Sequence, residues 1–176
     1  MRKILVLFLA FLLAACNLSI PPAPSTETPT TGNSSTQCAW EWATQSLPDV
    51  SAGVQSALEV AGLTGMTVTA EAYGENCITG AGVVDSFAVM ETDFRISVKM
   101  PALTDSALLG SLLEKILIVL DAFPPGVTPG PNPGYIGVTF QAGNDELRLW
   151  FTVADGKSAR ASGLHGAALL DKLQNP

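Results

Sequence analysis

FAVMETDFRISVKMPALTDSALLGSLLEKILIVLDAF, residues 87–123, changes its repeat halfway, and that change decides what kind of domain the chain can build. From Phe87 to Met100 polar and apolar residues alternate, with Phe94, Ile96 and Val98 on one side and Arg95, Ser97 and Lys99 on the other. That is the two-residue period of a strand with one buried face. Pro101 ends it, and Asp105 stands where a helix cap belongs. The following run, SALLGSLLEKILIVLDAF, is strongly apolar and reads as the helix at the spine of the core. Ser111, Glu114 and Lys115 interrupt it, so it does not read as a bilayer span.

Upstream, Leu47-Pro48-Asp49 opens a helix in which Val50, Val54, Ala57, Leu58 and Ala61 recur at helical spacing, and Gly62 supplies the stop. MTVTAEAY, residues 66–73, then alternates as a half-buried strand. Downstream, PPGVTPGPNPG at 124–134 holds five prolines and three glycines in eleven residues, a crossover or docking loop that no helix or central strand accommodates. YIGVTFQAGNDELRLWFTV, residues 135–153, reads as a hairpin turning at Gly143-Asn144. A last helix is expected around Ala167 to Leu173. The expected fold is therefore α+β, a four-stranded antiparallel sheet with helices packed on one face, in the element order αββαββα. Its two halves repeat in element order but not in residues.

The chain starts MRKILVLFLAFLLAAC, with Arg2 and Lys3 followed by twelve uncharged residues, Ile4 to Ala15. This run is shorter than the roughly 20 residues a spanning helix needs, and it has the anatomy of a signal peptide. Its end, Leu13-Ala14-Ala15-Cys16, resembles the lipobox of bacterial lipoproteins. The resemblance covers the first sixteen residues and implies cleavage before Cys16, a thioether-linked diacylglycerol on its sulfur, and often acylation of the new amino terminus. Several acyl chains anchor firmly, at about 0.8 kcal/mol per buried CH₂. Three regions follow: 1–15 signal peptide; 16–37 the lipidated cysteine and a Pro/Ser/Thr linker, NLSIPPAPSTETPTTGNSSTQ; and 38–176 a single globular domain. The expected location is the cell membrane or cell surface, on the extracytoplasmic side.

With Cys16 assigned to lipid, Cys38 and Cys77 form an even pair in an oxidising compartment, and a disulfide is expected. Closing that loop removes denatured-state entropy worth roughly 4 kcal/mol. The whole chain carries a formal charge of −7, and losing Arg2 and Lys3 with the signal peptide takes it to −9. Such a balance argues against nucleic acid and against a polybasic membrane patch.

Catalytic signatures are missing. His165 is the only histidine, and SGLHGAAL around it offers neither a nucleophile elbow nor an orienting acid. It reads as a surface helix residue. There is no phosphate loop, dinucleotide fingerprint or zinc motif, so no cofactor and no metal are expected. Two polar groupings remain. If the first two strands pair, Glu71, Glu91 and Asp93, with Glu75 nearby, share the face away from the helices. Paired carboxylates there could do acid–base work or hold a hard cation. On the same face Tyr73 and Trp150, with Trp40 and Trp42 near the disulfide, would make an aromatic patch of the kind that takes peptides, glycans or another protein. The favoured reading is a lipid-anchored, non-catalytic binding or envelope-assembly module, with an envelope protein or small ligand as partner. The alternative is an envelope hydrolase or cation-binding protein using the carboxylates.

Overall fold

The computed structural model describes residues 38–175; the expected signal peptide, the lipid on Cys16 and the linker at 17–37 lie outside the described residues. The elements run β1 (Ala39–Ser46), α1 (Pro48–Val60), β2 (Met66–Ile78), β3 (Val84–Lys99), α2 (Ser106–Leu120), β4 (Asn132–Ala142), β5 (Asp145–Thr152), α3 (Val153–Ala161) and α4 (Gly166–Gln174). The sheet has five strands in the spatial order β1-β2-β3-β4-β5, curled into a half-barrel. The expected four-stranded antiparallel sheet in the order αββαββα is thus corrected on strand count, strand direction and element order.

Three physical reasons account for the difference. AWEWATQS forms β1, pairing with β2 from Ala39↔Ile78 to Ser46↔Glu71. Every residue of β1 except Ala43 is exposed, so neither face buries an alternating set and the usual strand signal is absent. Next, β3 and β4 are parallel, in register from Glu91↔Asn132 to Lys99↔Gln141. The fifteen-residue α2, about 22 Å long, carries the chain back between them, and alternation within a strand says nothing about which way its neighbour runs. Finally, β5 stops at Thr152, whose side chain accepts from the Asp155 N–H while the Asp155 carboxylate accepts from the Thr152 N–H; this capping box starts α3 where the hairpin was expected to end in Val153.

Other elements form as their residues dictate. Asp105 Oδ1 accepts from Leu108 N at 2.9 Å and caps α2. The β4–β5 hairpin closes through Gly143, whose φ of 61° suits glycine. Pro133 enters β4, against expectation, at a point where β5 has not yet joined, since the β4–β5 pairing reaches only to Tyr135↔Thr152. Thr92 Oγ1 donates to Pro129 O at 2.7 Å and ties the preceding loop to β3.

The core lies between one sheet face and the helices. Val68 and Ala70 of β2, Phe94 and Ile96 of β3, Val138 and Phe140 of β4, and Leu149 and Phe151 of β5 meet Val54, Leu58, Leu113, Ile116, Leu169 and Leu170 of the helices in one apolar cluster. Gly110 of α2 lies directly against the backbone of Gly166 at the start of α4, with no room for a Cβ. Cys38 and Cys77 are disulfide-bonded, as expected, with Cα atoms 4.9 Å apart, tying the entry of β1 to β2.

Candidate functional site

Burying one sheet face under helices leaves the other to solvent, and the register determines which side chains meet there. Tyr73 of β2 pairs with Thr44 of β1 and with Glu91 of β3; Glu71 pairs with Ser46 and with Asp93. One further row places Arg95 of β3 opposite Gly137 of β4, and Gly137 opposite Trp150 of β5. Glu71, Tyr73, Glu91, Asp93 and Trp150 therefore all lie on the open face. Tyr73 and Trp150 are brought to opposite sides of β3, each with a different aromatic partner.

Trp42 and Tyr73 stack with ring centroids 5.3 Å apart and planes within 5°. On the far side Tyr135 and Trp150 stack at 5.4 Å, also within 5°. The Trp150 ring also takes Arg95, whose Cζ lies 4.9 Å from its centroid, a cation–π contact. Between the two stacks runs the charged strip of β3. Arg95 Nε reaches Glu71 Oε2 at 3.4 Å, an exposed pair of modest worth. Asp93 is largely buried, and its Oδ1 accepts from the Tyr135 N–H at 2.8 Å.

Burial pushes the Asp93 carboxyl above its ordinary range, against the opposing pull of the Tyr135 N–H and Arg95. Glu91 is raised too, first by partial burial and then by the charge of Asp93. Two carboxyls that are reluctant to ionise suit a surface that gains by receiving a positive charge or a hydrogen-bond donor. Beside them Arg95, Ser97, Thr139, Arg148 and Trp150 line an open groove of about 310 Å³, with Gly137 in its wall. By contrast, the space under the sheet among Phe94, Leu117 and Phe123 is about 20 Å³, at most one water.

Tyr135 and Gly137 also belong to this face, without a role read from the sequence, as does Arg95, which the alternation of its strand places on the polar side. Their alternation with the buried Ile136, Phe94 and Val138 was the available signal. Trp40 and Trp42 are exposed, at 53% and 57%, and Trp150 at 44%, so the aromatic patch is open to solvent. Glu75 faces the same way, opposite Trp42. His165 is the N-cap residue of α4 rather than part of a helix, and its Nδ1 lies 2.8 Å from Glu114 Oε1, away from this face. Among the described residues no group of three or more His, Cys, Asp or Glu is placed to hold a metal ion, and no helix is long and apolar enough to cross a membrane. No family model, curated protein or solved structure matches the chain.

Proposed function

We propose that this protein is a lipid-anchored, extracytoplasmic binding module, non-catalytic, whose recognition surface is the open face of its sheet. The observation that supports the reading is the arrangement of that face: two stacked aromatic pairs flank a strip of carboxylates, with no helix laid over them. Rigid rings and preset hydrogen-bond acceptors favour recognition because little side-chain freedom is lost on binding. The disulfide supports an oxidising location. The anchor itself rests on Leu13-Ala14-Ala15-Cys16.

Two measurements test the two halves. Intact mass of the chain extracted from membranes should show residues 1–15 removed and acyl mass on Cys16, abolished by Cys16→Ser. A nuclear magnetic resonance titration with basic peptides and neutral oligosaccharides should move the signals of Tyr73, Glu91, Tyr135 and Trp150 together. Shifts confined to the helical side would refute the assignment of the recognition face.

A further inference from the structure

At the end of the sheet that carries the disulfide, β1 and the first residues of β3 are exposed on both faces. There β1, the last residues of β2 and the first of β3 form a three-stranded ribbon that exposes four large apolar side chains, Trp40, Trp42, Val83 and Val84, at 53%, 57%, 60% and 52%, among polar ones that include Glu41 and Asp85. The register brings them to one tip. Ala39 and Val84 both pair with Ile78, and Trp40 pairs with Cys77, while Val83 ends the loop that joins β2 to β3. CITGAGVV, residues 77–84, contains no charge. The charges here are acids: Asp85 follows Val84, Glu41 stands between Trp40 and Trp42, and Glu75 pairs with Trp42, while residues 38–46 and 74–90 hold no Lys or Arg.

We propose that this tip is a lipid-binding surface, at which Trp40, Trp42, Val83 and Val84 enter the interfacial zone of a bilayer. The patch takes in a loop and both faces of a ribbon, which a bilayer receives together and which a second copy joining through the β1 edge would leave half uncovered. Tryptophan is favoured at the boundary between headgroups and acyl chains. Trp40 pairs with Cys77, one residue step from the Ile78 row, and Trp42 with Glu75, three steps or about 10 Å from it, so the loop and Trp40 enter first and Trp42 marks the outer limit of an interfacial contact. Placement adds a further argument: the described chain begins at Cys38, at this same end, and Cys16 precedes it in the sequence. Since the only charges at the tip are acids, which stay at the headgroup level, the contact needs no anionic lipid. The inference rests on the lipid-anchor reading for the presence of the bilayer, and it adds a second, protein-made contact with it.

The test reconstitutes the full chain in phosphatidylcholine vesicles containing lipids nitroxide-labelled near the headgroup. In a Trp150→Phe background Trp40 and Trp42 report on the tip; in a Trp40→Phe/Trp42→Phe background Trp150 reports on the sheet face. Tip tryptophans should be quenched several-fold more than Trp150 and shielded from acrylamide, and replacing part of the lipid with phosphatidylglycerol should not strengthen the effect. Val83→Asp with Val84→Asp should abolish the difference, and the serine pair at both positions serves if the aspartates disturb folding. Equal quenching at tip and face, with the tip still open to acrylamide, would overturn the proposal even where Cys16 carries lipid. The Cys16→Ser chain, added to the same vesicles at high lipid concentration, separates the readings: tip quenching that persists there supports the tip whatever the fate of the anchor.

Discussion

The Trp150 ring lies across Gly137 of the neighbouring strand, so closely that a Cβ on Gly137 would stand 2.8 Å from Cε3 and Cζ3 of the indole. A bare backbone position in the middle of β4 is thus what lets an aromatic of β5 lean toward β3, stack on Tyr135 and receive Arg95. Gly137→Ala should therefore push the indole outward. Because Trp150 is half exposed it can swing, so the expected stability loss is about 1 kcal/mol, at the low end of the range for overpacking. The near-ultraviolet circular dichroism of the Tyr135–Trp150 pair should collapse, and ligand-induced shifts at this end of the face should fall. Unchanged dichroism would mean that the stack does not depend on the glycine.

Asp93 separates charge from hydrogen bonding. In the folded chain its carboxyl, like that of Glu91, holds its proton more tightly than when unfolded. Ionisation at neutral pH therefore counts against the fold, and this cost disappears as pH falls through the raised values. Asp93→Asn removes the charge but keeps an acceptor for the Tyr135 N–H, so stability at neutral pH should hold or rise and the gain on mild acidification should shrink. Asp93→Ala leaves that part-buried N–H without its acceptor and should cost about 1 kcal/mol, the lower end of what an unmade hydrogen bond costs. Urea denaturation of both variants at neutral and mildly acid pH reads the contrast, and equal stabilities would show that the hydrogen bond carries nothing.

What the residues disclosed, and what they withheld, follows from where each signal originates. Alternation at Phe94, Ile96 and Val98, the Asp105 cap and the Gly143 turn are local, and each was legible. The joint placement of Glu71, Glu91 and Asp93 on one face followed from pairing adjacent strands. Trp40 and Trp42 hid a strand because β1 sits at an edge beyond the helices, where no burial imposes a period. VADGKSARA hid α3 because its apolar content is low and Gly156 occupies its interior, where the Leu117 and Phe151 side chains fill the space a Cβ would need. Its capping box, Thr152 to Asp155, was the cue available. The parallel β3–β4 pairing and the Tyr135–Trp150 stack depend on strand order, which no single segment encodes.

Gly110 and Gly166 hold α2 and α4 at backbone contact. Gly110→Ala cannot be relieved by a rotamer change, because what the new methyl would meet is the Gly166 carbonyl. The two helices must separate, disturbing Leu113 and Leu169, so a loss of about 3 kcal/mol is expected, the upper part of the overpacking range. Thermal unfolding should show it, and a loss below 1 kcal/mol would mean that α4 shifts freely on the core.

The disulfide has a more selective role. Among the described residues β1 pairs with β2 alone and buries almost nothing, so its attachment depends on that ladder and on the Cys38–Cys77 bond. Replacing both cysteines with serine removes a constraint on a 39-residue separation and should cost about 2–5 kcal/mol. The loss should not be uniform. The apolar cluster of β2 to β5 and the helices does not include any residue of β1, so hydrogen exchange should show the amides of Ala39–Ser46 opening first while Val138 and Phe140 stay protected. Cys77 is fully buried, so in the native chain a reductant should reach the bond slowly and chiefly through that same local opening of β1. Uniform loss of protection across the sheet would instead place the bond inside the cooperative core and remove the picture of β1 as a separately held edge.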